Sequence, residues 1–292
     1  MRCLGAPVWE LCMIRPFTIA AIVTTFNEEK NIARCLASLR WCDKILVVDS
    51  FSTDRTPHIV RATPGVELVQ RPYLGAAAQK NWAMDQVEAD WILLFDADEE
   101  CTPALQAEIE ALLASGPQWH AFTIRRKVFF QGRVIRFSGW QHDRVVRLVR
   151  KGMARYANLR VHERMRTVGP APVLRNPMLH HMIDSFDEYV RRVSNYGYLG
   201  AAQGWRDGKR SGFFQVFFRP AWRFFRMYLL QLGFLDGMHG LVFCMVQSYA
   251  TYVKWAILWA WHVNARRGRE PALPPFDEDP AIWAFSPPTT AS

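Results

Sequence analysis

The sequence predicts an α/β fold: a Rossmann-like, mainly parallel sheet with helices on both faces, followed by C-terminal amphipathic helices. Three observations carry this expectation. Apolar runs of strand length alternate with helix-period segments between residues 17 and 116. Polar clusters at Thr25 to Glu28, Asp49 to Asp54 and Asp96 to Glu99 follow strands of that stretch, on the edge where open α/β sheets bind ligands. From residue 185 the pattern turns helical, with basic residues interleaved among aromatic ones.

Each element has a local reason. Phe17 to Thr24 is a continuous apolar run suited to a buried parallel strand. Asn27-Glu28-Glu29 is expected to open the first helix, its acidic pair suiting the dipole, with Ile32, Cys35, Leu36 and Leu39 on one face. Lys44 to Asp49 is the second strand, Ser50 to Arg55 a turn, and Thr56-Pro57 a helix start. Val66 to Gln70 is a third strand, and a helix is expected from Ala76 to Val87. Trp91 to Phe95 is the fourth strand, and Thr102-Pro103 caps a helix reaching Ala114. Between Trp119 and His181 short strands take over, and Gln131-Gly132 between Phe130 and Val134 is a hairpin signal.

The 292 residues suffice for one sizeable domain and an appendage. Residues 1–16 read as an N-terminal extension without the apolar core of a secretory signal, and Met13 is an alternative start. Residues 17–183 read as the catalytic domain, 184–265 as a helical, membrane-associating region, and 266–292 as a Pro-rich, disordered tail. The six cysteines lack the paired spacing of a zinc or thiol–disulfide motif, and read as reduced, mostly buried residues of a cytoplasmic protein.

Asp96 and Asp98 end a buried strand, and on an extended backbone residues two apart point the same way. Their hard oxygens suit a divalent metal, magnesium or manganese, which also binds phosphate oxygens. An isolated Asp-x-Asp is equally a solvated loop ahead of Thr102. Asp49 can accept from a base or ribose, and Thr25, Asn27 and Glu28 can fix a base. Lys80, early on the helix before the metal strand, can neutralise phosphate. Asp54 is as readily a helix cap as a ligand.

The segments Ala21 to Glu29, Val47 to Asp54, Gln79-Lys80-Asn81 and Asp96-Ala97-Asp98-Glu99 resemble the successive motifs of glycosyltransferase family 2. The chain resembles in particular the bacterial branch that adds glucose to the lipopolysaccharide inner core, through Gly139-Trp140, Asp143, Arg147-Leu148, Val161-His162-Glu163, Asn176-Pro177 and Gly233 to Gly237. The resemblance implies a GT-A fold, a UDP-sugar donor contacted also at Ala97, a divalent metal and inversion at the anomeric carbon. Asp143 and Glu163 are then the alternative bases, the first otherwise a salt-bridge partner of Arg144 or Arg147. His162 is a third metal ligand, an acceptor contact or a structural residue. Two departures are Phe51, where many relatives carry glycine, and Gln141-His142 before Asp143.

Net charge is +9, and the span from Arg206 to Arg269 holds ten basic residues against Asp207 and Asp236, which is most of the excess. Interleaved with Phe213, Phe214, Phe217, Phe218, Trp222, Phe224 and Phe225, that charge fits helices lying in an anionic membrane surface. Nucleic acid is a poorer partner, since its stacking platforms sit on sheets or loops. Leu241 to Trp261 approaches spanning length, but Lys254 would then lie in hydrocarbon. The expected partners are thus a UDP-sugar, a lipid-linked glycan and the cytoplasmic face of a bacterial inner membrane. Transfer to polyprenyl phosphate and a non-enzymatic membrane scaffold are the alternatives.

Overall fold

In the computed structural model, residues 15–157, 164–183 and 185–273 are described. In chain order the elements are β1 (Ile19–Thr25), α1 (Ile32–Ser38), β2 (Lys44–Asp49), α2 (Thr56–Arg61), β3 (Val66–Gln70), α3 (Ala76–Asp85), β4 (Trp91–Asp96), β5 (Glu99–Glu100) and α4 (Pro103–Ala114). There follow β6 (Ala121–Phe130), β7 (Arg133–Val134), β8 (Arg144–Arg150), β9 (Ala154–Tyr156), β10 (Met165–Thr167) and β11 (Met178–Ile183). Three long helices complete the chain: α5 (Phe186–Arg206), α6 (Phe213–Phe225) and α7 (Gly237–Ala265).

One sheet runs β3-β2-β1-β4-β8-β6-β11-β5, with β7 beside β6. Its first four strands are parallel, while β8 is antiparallel to both β4 and β6. Alternate residues of each central strand enter opposite cores. Ile19, Ala21, Val23, Leu93 and Phe95 pack with Leu36, Leu39, Leu105 and Ile109. Ala20, Ile22, Leu46, Val48, Ile92 and Leu94 pack with Ala77, Ala83 and Met84 of α3. Burial of both faces explains why these strands read as unbroken apolar runs. The sheet is therefore mixed α/β with helices on both faces, and its switch point lies where β1 meets β4.

Local chemistry sets several boundaries. Thr102 Oγ1 accepts from the Leu105 amide at 3.1 Å and caps α4, with Pro103 in the first turn. Gln131 (φ 50°) and Gly132 (φ 70°) both take left-handed conformations and turn β6 into β7, as a two-residue hairpin requires. The first helix differs from expectation: it begins at Ile32, and no acidic residue lies in its first turn. Asn27 adopts φ 53° and breaks the chain's path, so Glu28 and Glu29 serve the loop instead of the helix dipole. Helix α3 likewise ends at Asp85, short of Val87.

The C-terminal helices attach to the β6–β7 hairpin through Phe130, Ile135, Tyr189, Val193, Met227 and Phe243. Asp236 carboxylate oxygens accept from the amides of Arg136 and Phe137 at 3.1 and 2.9 Å. The span Gly233–Ala265 is long and apolar enough to cross a membrane, with mean hydropathy 1.3, and only 33% of its most apolar stretch is buried. Helix α6 exposes Phe213, Phe214, Phe217, Phe218, Trp222 and Phe225.

Candidate active site

The carboxyl ends of β1, β2 and β4 carry the three predicted polar clusters, in register: Thr25 opposite Asp49, and Thr24 opposite Asp96. The first two are laced together. The Asn27 amide donates to Ser52 Oγ and the Thr53 amide to Asn27 Oδ1, both at 2.8 Å. The Glu28 amide donates to Thr56 Oγ1 at 2.8 Å, and the Arg55 amide to Glu29 Oε2 at 3.0 Å. Asp49 is fully buried and accepts from the Ser52 amide at 3.0 Å, the Ser52 hydroxyl, and Gln70 Nε2 at 2.8 Å. Asp54 precedes the N-cap Arg55 of α2 and accepts from the amides of Thr56 at 2.9 Å and Glu29 at 3.1 Å. The buried Thr25 hydroxyl has no hydrogen-bond partner among the described residues.

Two aromatic rings stand exposed on these loops, Phe26 and Phe51. Phe51 holds φ 61°, a conformation that costs a non-glycine residue about 1–2 kcal/mol. Backbone strain of this kind collects at ligand clamps.

Asp98 lies in a turn, not on extended strand, so its carboxylate and that of Asp96 have separate partners. Lys80 Nζ sits 2.9 Å from Asp96 Oδ1, and the Arg147 guanidinium pairs with the other oxygen. Burial alone would raise the Asp96 carboxyl, but Arg147 and then Lys80 hold it well below the usual carboxylate range. Arg147 also meets Glu99 at 2.7 Å, Arg126 lies 3.4 Å from Glu99, and Arg126 grips both oxygens of Asp143 at 2.8 and 2.9 Å. Lys80, Asp96, Arg147, Glu99, Arg126 and Asp143 thus form one unbroken chain of alternating charge.

A second network reaches the helical region. Arg192 of α5 donates to Asp98 Oδ2 at 2.9 Å and to Glu28 Oε1 at 3.0 Å, and His180 Nε2 lies 3.4 Å from Asp98. Burial opposes ionisation of Asp98, yet His180 and Arg192 pull its carboxyl far down. Burial, then repulsion from Asp98, pushes the Glu28 carboxyl up to about 7.

Arg126, His180 and Arg192 are the site residues that sequence reading missed. No motif marks them, and only the His180-His181 pair on β11 could have raised attention. His162 and Glu163 lie outside the described residues. Among the described residues no group of three His, Cys, Asp or Glu side chains is placed to hold a metal ion. Two ionised carboxylates nevertheless suit magnesium or manganese, which usually take one or two carboxylates and fill remaining positions with substrate phosphate and water. Lys80 and Arg147 bring two fixed positive charges to the same place.

Fold and site together define an open α/β domain with two buried charge networks at the carboxyl ends of its parallel strands. Residues 20–169 match the model of glycosyl transferase family 2, and the chain belongs to that family and is a glycosyltransferase. It is 29% identical over 258 residues to the lipopolysaccharide core biosynthesis glycosyltransferase LpsC of Rhizobium meliloti, covering 84% of this chain and 96% of that one. An uncharacterized glycosyltransferase of Rickettsia typhi, RT0209, is 28% identical over 82% of this chain and 86% of its own. Among solved structures it is similar to glucosyl-3-phosphoglycerate synthase of Mycobacterium tuberculosis in complex with Mn2+, uridine diphosphate and phosphoglyceric acid. That likeness has 23% identity and a TM-score of 0.32, covering 40% of this chain and 44% of that one.

Proposed function

We propose that the chain is an inverting, metal-dependent hexosyltransferase that moves a sugar, glucose in the first instance, from a UDP-sugar to a lipid-linked glycan such as the lipopolysaccharide core. The observation that carries this is the charge chain from Lys80 to Asp143, which links the donor-side carboxylate Asp96 to an acceptor-side carboxylate. The near full-length similarity to a lipopolysaccharide core biosynthesis glycosyltransferase supports the acceptor class.

In this reading Phe26 and Phe51 flank the base, with Thr25 and Asn27 at the loop that receives it. Asp96 and Asp98 would hold the metal, which when bound would supply positive charge to the diphosphate. Lys80 and Arg147 supply fixed positive charge at the same oxygens and need not reorganise as charge grows there. The acceptor hydroxyl attacks the anomeric carbon opposite the departing UDP, and Asp143 takes its proton. Arg126, bonded to both of its oxygens, aims Asp143 until the proton moves. Glu163 is the alternative base.

The exposed rings of α6 and the basic residues around them support peripheral attachment to the cytoplasmic face of an inner membrane, where a lipid-linked acceptor is found. The test incubates the full chain with labelled UDP-sugars, manganese and truncated lipopolysaccharide in vesicles. Label should enter the glycolipid from one UDP-sugar, and chelator should stop it. Absence of transfer from every UDP-sugar, or transfer indifferent to chelator, would refute the reading.

A further inference from the structure

Between Arg206 and Arg269 the sequence holds only two acids, and the fold uses both elsewhere. Asp207 pairs with Lys209 at 2.7 Å, and Asp236 caps the amides of Arg136 and Phe137. Arg223 on α6, and Arg226 just after it, are therefore left without a carboxylate partner among the described residues. Arg223 gives its Nη atoms to neutral acceptors, Gln247 Oε1 at 2.8 Å and Thr251 Oγ1 at 3.3 Å, and its buried Nε has no partner. Burial first, then the neighbouring Arg226, holds the Arg223 guanidinium below its ordinary value. Arg223 thus keeps a buried, unpartnered Nε beside a second cation, the exposed Arg226.

Their position says which anion. Arg223 and Arg226 line a groove of ≈ 670 Å³ along α6 with Phe214, Phe218 and Trp222. They also line a polar pocket of ≈ 290 Å³ that contains Asp143 and His142. The two arginines thus stand between an aromatic, membrane-suited face and the acceptor-side carboxylate.

We infer that Arg223 and Arg226 form a subsite for a phosphoryl group carried by the lipid-linked glycan acceptor, which holds that acceptor beside Asp143. The inference rests on the reading above that the acceptor is a lipid-linked glycan. Guanidinium forks match phosphate, and one phosphoryl group offers enough oxygens for two arginines at once. A bilayer headgroup carries the same chemistry, but one seated here would fill the space in front of Asp143. The phosphate therefore belongs to the molecule that must reach that space.

The test uses the full chain and neutral vesicles bearing the core glycolipid, either phosphorylated or phosphatase-treated. Co-flotation reads the subsite without turnover. Wild type should bind the phosphorylated form about tenfold more tightly, as expected for a charge-assisted contact. Arg226→Gln and Arg223→Lys should each shrink that preference, with UDP affinity retained as the check on folding. Equal binding of both forms, or a preference that survives both substitutions, overturns the subsite. So does tighter, arginine-dependent binding to anionic vesicles that lack the glycan, since it moves the phosphate to the bilayer. Transfer measured in the same vesicles separates the two readings. Transfer without phosphate preference sinks the subsite alone; phosphate preference without transfer from any UDP-sugar sinks the enzymatic reading and leaves the subsite standing.

Discussion

Arg192 Nη1 lies 2.9 Å from Asp98 Oδ2, joining a C-terminal helix to the end of the catalytic strand. Its other nitrogen reaches Glu28 Oε1 at 3.0 Å, so one guanidinium serves two carboxylates that repel each other. Glu28, pushed up to about 7 by burial and Asp98, binds a proton in the folded state at pH values where the unfolded chain has released it. A raised carboxyl contributes stability at low pH that is lost as pH rises from the unfolded value through about 7. Glu28→Gln removes this loss. Its stability relative to wild type should improve by roughly 2–3 kcal/mol between pH 4.5 and 7.5, read by denaturant melts. A difference that is flat with pH would show that Glu28 titrates normally.

Lys80 tests whether the charge chain holds the donor side together. The side chain is 2% exposed and 2.9 Å from Asp96, which keeps some contact with solvent. Lys80→Met leaves Asp96 with Arg147 and the Thr24 hydroxyl and should cost about 3 kcal/mol of stability, the lower part of the range for breaking a buried pair. Transfer should fall by about 100-fold, with kcat affected more than acceptor KM, if the ammonium serves the leaving diphosphate. A stable variant with wild-type kcat would remove Lys80 from the mechanism.

Phe51 couples strain to recognition. Phe51→Gly relieves the left-handed backbone, so stability should rise by up to about 1 kcal/mol. The same change deletes an exposed ring beside the base loop, and UDP affinity should fall by about tenfold, the scale of one base–aromatic stack. Calorimetric titration of UDP together with a thermal melt checks both signs. A purely structural Phe51 would move the first and leave the second.

The central strands were legible because burial on both faces writes an unbroken apolar run, as in β2, where Ile45 to Asp49 are all buried. Thr102-Pro103 was legible because a cap is a local device. The partners of the site were not. Asp143, read as a base or otherwise as a partner of its sequence neighbours Arg144 or Arg147, pairs with Arg126. That partner is set by the antiparallel pairing of β6 and β8, with Arg125 opposite Arg144, and pairing between strands is invisible to local pattern. Arg192 sits 94 positions from Asp98 on a helix with no motif, so only the docking of α5 reveals it. Asp49, read as an acceptor for a base or ribose, also accepts from Ser52 and from Gln70 of β3, partners that no local pattern shows.

Gly240 sets the docking of the C-terminal helices. A Cβ there would come within 1.9 Å of the Gly233 carbonyl and 2.9 Å of Asp236 Cβ. Gly240→Ala must therefore displace the first turn of α7, and Asp236 with it, from the amides of Arg136 and Phe137. We expect a loss of roughly 1–3 kcal/mol in a urea melt. An unchanged midpoint would show that the turn shifts freely.

Asp143 carries the sharpest prediction about chemistry. Arg126 holds both of its oxygens, at 2.8 and 2.9 Å, and Arg126 in turn touches Glu99 of the donor-side network. Asp143→Asn keeps the size and one acceptor oxygen but removes the charge that takes a proton. Transfer should fall by about 100- to 10,000-fold, the usual contribution of a general base, while UDP binding persists. Arg126→Gln should then lower kcat without matching that loss, because the carboxylate remains but is no longer aimed. Single-turnover assays on phosphorylated glycolipid separate these effects from binding. Near-normal turnover in Asp143→Asn would move the base role to Glu163 and leave the Arg126–Asp143 pair as a brace between β6 and β8.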